Sequence, residues 1–207
     1  MVLLKSQGSK YFYEHLKKQY DNMKLRQRWS DDLNQDLSNI NWDKIYKLCF
    51  KTIKGNDLVW FQYRILHRIL GTNEYLFKVN KTGVASCSFC KASVETLSHL
   101  FFLCPFVSEF WKKVQQWLQH SLGLYIDLEP LTILFGSIEN ELDFFPKNII
   151  ILVAKKFIWT ASKQSRQLNL TGFKNVLKIV YTEQEYIAKT SSQSEKFTTS
   201  WYLFKDI

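Results

Sequence analysis

The chain has 207 residues, of which 46% are hydrophobic and 16% aromatic, with only seven glycines and three prolines. This composition excludes a disordered chain, because the apolar content is enough to bury a core, and the scarcity of glycine and proline favours long helices over a turn-rich sheet protein. The longest unbroken apolar run, Ile149 to Ala154, is far shorter than the roughly 20 residues that cross a bilayer. We therefore predict a mostly α-helical protein that does not enter the membrane.

The formal net charge is +9, and the charges are segregated along the chain. Residues 5–28 hold seven lysines or arginines against two acids, and residues 147–178 hold another seven with no acid. Residues 121–146, in contrast, hold five acids and no lysine or arginine. Such segregation is typical of positive faces that meet a polyanion, although lysine-rich solvated helices produce it too.

The first predicted elements are a basic arm and two helices. Residues 1–41 are predicted to form an N-terminal arm or linker. Apolar residues then recur at spacings of three and four, which predicts a helix with Ser38 or Asn39 as its cap; they are Trp42, Ile45, Tyr46, Cys49 and Phe50. Asp57 can cap the next helix, which Gly71 ends. Its apolar stripe is Phe61, Ile65 and Ile69, and a mixed stripe is Trp60, Arg64 and Arg68.

Four potential metal ligands follow, spaced C-x2-C-x8-H-x4-C. They are Cys87, Cys90, His99 and Cys104. A Cys-x-x-Cys turn brings two thiolates onto one metal with little strain, and three sulfurs with one nitrogen complete a tetrahedral zinc shell. A catalytic zinc usually keeps one position open for water, so the full set predicts one structural zinc ion.

Two alternatives for this cluster stay open. One is a catalytic zinc ion with Glu95 as the general base. The other is a disulfide, although four cysteines in 207 residues are few for a secreted scaffold. Reduced thiols and the lack of a recognisable signal peptide predict a nuclear or cytoplasmic protein. Cys49 is then expected to be a buried apolar thiol.

The remaining elements are helices. Pro105 opens an amphipathic helix, whose predicted buried residues are Phe106, Val107, Phe110, Trp111, Val114, Trp117 and Leu118. Pro146 is predicted to open another helix that reaches about Gln167, and a further helix surrounds Phe173 and Tyr181. We predict a zinc-binding helical domain over residues 42–122 and a C-terminal helical region over residues 123–207.

Cationic residues on two of these helices are candidates for a phosphate track, and Trp60 is a candidate for base stacking. The cationic candidates are Arg64, Arg68, Lys155, Lys156, Lys163 and Arg166. The alternative is that Trp60 belongs to the core and the cations are ordinary solvated charges.

These residues resemble a known family. The run from Trp60 to Arg68, the four metal ligands, the pair Glu95-Thr96 and the pair Phe110-Trp111 resemble the reverse-transcriptase zinc-binding domain at the C-terminal end of LINE-type, non-LTR retrotransposon polyproteins. The resemblance implies that the cysteines and His99 bind zinc, that Glu95-Thr96 shape the loop before His99, and that Phe110-Trp111 pack the next helix beneath the site.

The resemblance also implies a function. The module is expected to bind RNA or single-stranded nucleic acid and to assist reverse transcription that upstream polymerase and endonuclease domains of a longer polyprotein perform. The motifs of those enzymes are absent from this sequence, so we expect no catalysis. The chain is then a fragment, a remnant or a host-adopted protein, and a zinc-scaffolded protein-interaction module stays open as the alternative.

Overall fold

A computed structural model describes residues 22–137 and 144–205 of the chain. The side chains of Asn22, Met23, Cys49 and Phe144 are outside this description, so the expectation that Cys49 is a buried thiol stays a prediction. The chain divides between Ile40 and Asn41 into two compact units, and each is described by itself.

The first unit contributes one helix, α1 (Asn22–Leu33), to the described residues. Trp29 and Leu37 are buried. After the helix, Asp36 accepts hydrogen bonds from the backbone N–H and the hydroxyl of Ser38 at 2.9 and 3.0 Å. These bonds stabilise the carboxylate, and the pKa of Asp36 is lowered. The part of the predicted arm before residue 22 lies outside the described residues.

The second unit, from Asn41 onward, confirms the prediction of a mostly helical fold. Its elements are α2 (Trp42–Thr52), α3 (Asn56–Leu66), α4 (Asn73–Lys78), a π-helical turn (His99–Leu103), α5 (Pro105–Leu122), α6 (Pro130–Phe135), α7 (Phe144–Lys163), α8 (Leu170–Thr190), α9 (Ser194–Trp201) and a 3-10 turn (Tyr202–Phe204). Across residues 22–137 and 144–205, the only β pairing is an isolated bridge between Ser86 and Val94. None of the described helices combines the length and apolarity needed to span a bilayer.

Several predicted helix boundaries are wrong. Helix α7 runs from Phe144 to Lys163 rather than from Pro146 to about Gln167. The cap of α2 is Asn41, whose side chain accepts from the Lys44 backbone N–H at 3.0 Å, rather than Ser38 or Asn39. Helix α3 has Gly55 as its N-cap and ends at Leu66, well before Gly71. The early end of α3 leaves Ile69 exposed, so Ile69 does not extend the apolar stripe.

Helix α5 matches its predicted start and most of its predicted buried face. Pro105 is its first residue, and Gly123 ends it in the left-handed conformation (φ 62°) that glycine adopts without steric cost. Phe106 is the exception, because it is exposed at the second position of the helix. Phe50 on α2 is likewise exposed rather than part of the apolar face.

An aromatic cluster joins α5, α7 and α8. Phe173 is fully buried, and its ring lies 5.8, 6.1 and 6.2 Å from the rings of Phe110, Trp117 and Phe157. Helix α9 packs on α8, where the buried Trp201 contacts the Tyr181 ring at 5.8 Å. The predicted domain boundaries at residues 41 and 122 stay predictions, and both sides of residue 122 lie within this one unit.

Candidate metal centre and nucleic-acid surface

The first two metal ligands lie on a tight turn. The Lys91 backbone N–H donates to the Cys87 carbonyl at 3.1 Å, and the Cys87 N–H donates to the Ser93 carbonyl at 2.7 Å. Lys91 has a left-handed backbone (φ 57°), which reverses the chain directly after Cys90. The Phe89 backbone N–H points at the Cys87 sulfur at 3.4 Å. The turn therefore presents both cysteines on its concave side.

The other two ligands lie at the ends of the π-helical turn. In an α-helix, residues five apart are rotated by about 140° and cannot point at one metal ion. Here the Cys104 N–H donates to the His99 carbonyl at 2.9 Å, which widens the turn by one residue. The Thr96 hydroxyl accepts from the His99 N–H at 3.0 Å and fixes the start of the turn. Single π turns are found frequently at functional sites.

The four donor atoms fit one zinc ion. They all lie within 4.8 Å of one another. The sulfurs of Cys87 and Cys104 are 3.8 Å apart, which equals the edge of about 3.8 Å expected for a tetrahedron with zinc–sulfur bonds of about 2.3 Å. The Cys90 sulfur lies 3.3 Å from His99 Nε2, close to the sulfur–nitrogen edge of about 3.6 Å. The predicted Cys3His site for one zinc ion is thus formed.

The protein environment sets the protonation of these ligands before metal enters. Burial raises the pKa of the Cys87 thiol to about 12. Burial acts in the same direction on Cys90, but hydrogen bonds from the backbone of Ala92 and Ser93 outweigh it, and the pKa of Cys90 is lowered. Burial lowers the pKa of His99, against the opposing charge of Glu95. His99 is therefore held in the neutral form that binds zinc, and binding must displace the thiol proton of Cys87.

Glu95 anchors the metal site to the rest of the fold. Its side chain is 0% exposed, and one carboxylate oxygen accepts from the Ser88 N–H inside the Cys-x-x-Cys turn at 2.8 Å. The other oxygen accepts from the Asn73 N–H at 3.0 Å and from Lys163 Nζ at 3.1 Å. Three elements, the zinc turn, α4 and α7, therefore meet at one carboxylate. The resemblance to the family had indicated that the pair Glu95-Thr96 shapes this loop. Nothing in the sequence indicated that Lys163 is the partner of Glu95.

Part of the chain that contains the metal site matches a known protein family. Residues 9–111, just under half of the chain, match the sequence model of a family described as zinc-binding in reverse transcriptase. This segment is a reverse-transcriptase zinc-binding domain. No curated protein matches the chain. The matched segment contains all four ligands and ends at Trp111, whose indole N–H donates to the Phe101 carbonyl of the π-helical turn at 2.8 Å.

Lys155 was predicted to bind nucleic acid at the surface of this zinc-binding protein, and that prediction is wrong. It is only 1% exposed, and its ammonium donates to Gln62 Oε1 at 2.7 Å and to the Leu134 carbonyl at 2.8 Å. A cation buried between α3, α6 and α7 cannot reach a phosphate at the surface. The sequence did contain a signal that Lys155 is buried, because Lys155 continues the apolar stripe of Ile151 and Ile158 on α7.

Two further predicted cations of α7 are paired with carboxylates of the same chain. Lys163 donates to Glu95 and, at 2.8 Å, to the Asn73 side chain, so it supports the zinc-binding domain from inside. Lys156 pairs with Asp57 at 3.0 Å, and its ammonium lies 5.3 Å from the centres of the Phe61 and Trp159 rings. Lys163 is therefore not part of the predicted phosphate track. Lys156 stays beside it, because its ammonium lies at the Trp159 ring.

Arg64, Arg68 and Arg166 occupy three different settings. Arg64 lies on α3 with its guanidinium 5.7 Å from the centre of the Trp159 ring. Arg68 follows the end of α3 with a left-handed backbone (φ 58°) and is half-buried, so it is not on the helix that carries Trp60 and Arg64. Arg166 is exposed in the connection between α7 and α8. The structure brings Arg64 and Lys156 together around Trp159.

Exposed aromatic rings accompany Arg64. Trp60 is 57% and Tyr63 40% exposed, and their rings meet edge to face at 5.3 Å. His67, the C-cap residue directly after α3, has its ring 4.0 Å from that of Tyr63. We call Trp60, Tyr63 and Arg64 the α3 surface. The sequence pointed to Trp60 and Arg64, but it gave no reason to expect Tyr63 beside them.

Proposed function

We propose that this chain is a zinc-stabilised module that binds single-stranded RNA, or a single-stranded intermediate of reverse transcription, through the α3 surface. The observation that carries the proposal is the exposure of two large aromatic rings beside a guanidinium. Stacking on aromatic side chains is the usual way in which proteins hold unpaired bases, and nearby cations neutralise the phosphates.

A continuous path of packed rings connects the metal centre with the α3 surface. Phe101 of the π-helical turn contacts the Phe61 ring at 6.4 Å, and Phe61 contacts Trp159 at 5.9 Å. Trp159 in turn carries Arg64 on its face. Zinc fixes the π-helical turn, so its role in the proposal is to hold the support of the α3 surface rather than to react.

A basic stripe on α2 adds long-range attraction. Lys44, Lys47 and Lys51 are all exposed, and their spacing of three and four residues places them on one side of a helix that packs against α3. Together with the net charge of +9, this stripe supports association with a polyanion that weakens as salt rises.

The family match supports a broader proposal. A domain described as zinc-binding in reverse transcriptase is expected to hold its nucleic acid near a polymerase, and we propose that this one assists reverse transcription of a non-LTR, LINE-type element in the nucleus or cytoplasm, without catalysis of its own.

The test is fluorescence anisotropy of labelled single-stranded RNA with zinc-loaded protein over a series of salt concentrations. Trp60→Ala should weaken binding about tenfold, because stacking contributes roughly 1–3 kcal/mol per base. Arg64→Gln should weaken binding and reduce the salt slope by about one. Tyr202→Ala and Lys112→Gln are the matched controls, since both side chains are exposed on other parts of the unit.

Equal affinities and salt slopes for wild type, Trp60→Ala and Arg64→Gln would refute the α3 surface as the binding site. No binding by the wild type at low salt would refute nucleic-acid binding altogether and favour a protein-interaction module. For that alternative Tyr202 is an exposed aromatic side chain, whereas its neighbour Trp201 is buried.

A further inference from the structure

A large groove lies between α7, α8 and the segment that connects α2 to α3. Its volume is about 860 Å³, within the range of about 300–1,000 Å³ typical of pockets that hold small organic ligands. Val153, Phe157, Val176 and Val180 contribute to its apolar floor. The groove is separate from the metal centre, and none of the metal ligands lines it.

Hydrogen bonds and an ion pair hold the walls of the groove in place. The Gln184 side chain of α8 accepts from the Lys54 N–H at 2.8 Å and donates to the Lys54 carbonyl at 2.6 Å. Asp57, which also lines the groove, is paired with Lys156 of α7. The connecting segment is thus fastened to α8 and the start of α3 is fastened to α7, so the groove is formed before any ligand enters.

The polar groups of the groove are unevenly distributed. Its end beside the α7–α8 connection carries Gln164, Arg166 and Gln167, all exposed. The opposite end, where α8 meets the Lys54 segment, carries Lys54 and the acidic Glu183. A ligand with an apolar flat body, an edge of hydrogen-bonding groups and one negative charge matches the first end better than the second.

We propose that this groove holds one unpaired nucleotide of a single-stranded RNA. The base lies on the apolar floor beside Phe157, the amides of Gln164 and Gln167 bond to its edge, and Arg166 contacts its phosphate. Side-chain amides and arginine are the groups that proteins use for base edges and phosphates. This inference rests on the proposed function, and it adds a nucleotide site to the α3 surface.

Lys156 makes the two sites continuous. Its side chain lines the groove, and its ammonium lies 5.3 Å from the centre of the Trp159 ring that also carries Arg64. A strand whose bases stack on Trp60 and Tyr63 therefore passes a cation before it reaches the groove. This continuity favours nucleic acid over a peptide as the occupant.

The test uses zinc-loaded full chain with two probes, uridine monophosphate and labelled single-stranded RNA. Val176→Phe fills the floor of the groove, and Arg166→Gln removes its exposed cation. Asn175→Phe and Lys178→Gln are the matched controls, because both residues are exposed on α8 and neither lines the groove. We expect each groove variant to lower RNA affinity about tenfold and to abolish the amide chemical-shift changes that uridine monophosphate causes at Gly172 and Thr160, both of which line the groove, with both controls unchanged.

The possible outcomes distinguish the groove proposal from the proposal that RNA binds the α3 surface. If Trp60→Ala weakens RNA binding but both groove variants bind like the wild type, the groove proposal is wrong and the proposed function stands. If the groove variants weaken RNA binding and Trp60→Ala does not, the groove proposal stands and the assignment of the α3 surface as a binding site is wrong. Uridine monophosphate that shifts no groove amide in the wild type overturns the nucleotide site whatever the RNA result, and Arg166→Gln remains informative if Val176→Phe does not fold.

Discussion

The zinc loop (residues 85–104) and the helical pair α7–α8 are stabilised by different means. The zinc loop has one isolated β bridge and one π-helical turn, and its ends are drawn together by four metal ligands. Helices α7 and α8 are 20 and 21 residues long and bury long apolar stripes against each other and against α5. The comparison shows that one unit can combine a segment that needs a metal ion with a segment that needs only apolar burial.

An ion pair and a path of packed rings connect the two regions. Glu95 of the zinc loop binds Lys163 of α7, and Phe101 of the π-helical turn packs on Phe61, which contacts Trp159 of α7. Substitutions on either side, and at the contact itself, therefore measure how far the stability of one region depends on the other.

The largest effect is expected from removal of a zinc ligand. Cys87→Ser should abolish zinc binding and unfold the zinc loop, because the binding free energy of a structural zinc ion, about 10–16 kcal/mol in zinc-finger peptides, is also folding free energy. Zinc content, measured together with the melting temperature, checks this. Ala92→Ser, an exposed change in the same turn, is the control, and retention of stoichiometric zinc by Cys87→Ser would contradict the assigned ligand set.

A smaller but still large effect is expected from the aromatic cluster. Phe173→Ala should lower the free energy of unfolding by about 3–5 kcal/mol, because it leaves a cavity among rings on three helices. Denaturant unfolding at saturating zinc measures the loss, and Ile179→Ala, an exposed site on the same helix, should cost far less. Zinc affinity of the folded Phe173→Ala protein should stay at the wild-type value, and a parallel fall would mean that the two regions do not differ as described.

The smallest effect is expected at the contact between the regions. Glu95→Gln should cost about 2–3 kcal/mol, because it leaves the partly buried Lys163 ammonium without its carboxylate, and it should weaken zinc binding about tenfold through loss of the anchored turn. Chelator competition and denaturant unfolding provide the two readouts. Glu74→Gln, which breaks only the exposed pair with Lys78, should change the unfolding free energy by less than about 0.5 kcal/mol.

A double-mutant cycle isolates the contact. If Glu95 acts through Lys163, the change Lys163→Met should cost much less in the Glu95→Gln background than in the wild type. Strict additivity of the two losses would mean that the carboxylate stabilises the zinc turn without help from α7.

Local signals in the sequence were sufficient for the metal site and for most of the helices. Ligand spacing around Cys87 and Cys104 depends on residues close in the chain, and the start of α5 is marked by Pro105 itself. The predicted core positions of α5 were confirmed except for Phe106, which has the right period but faces solvent at the first turn. Such end positions are the weakest part of a periodicity argument, because a helix end packs on one side only.

The predicted cations were less successful, and the reason is physical. A lysine has the same sequence signature whether it is solvated, paired or buried, and its long side chain allows all three. Lys155 and Lys163 stand eight residues apart on α7, yet the first bonds Gln62 and Leu134 in the core and the second bonds Glu95 at the zinc loop. Those partners are distant in the chain, so no local pattern identified them.

The sequence by itself thus determined the helical class, the Cys3His zinc ligands and the family of residues 9–111, because each depends on composition or on short-range spacing. The tertiary structure alone decided that a π-helical turn aims His99 and Cys104 at one ion, that Glu95 ties this turn to α7, and that Trp60, Tyr63 and Arg64 share an exposed face. These features depend on which distant segments pack together, and packing of that kind is set by the summed burial of the whole unit rather than by any motif.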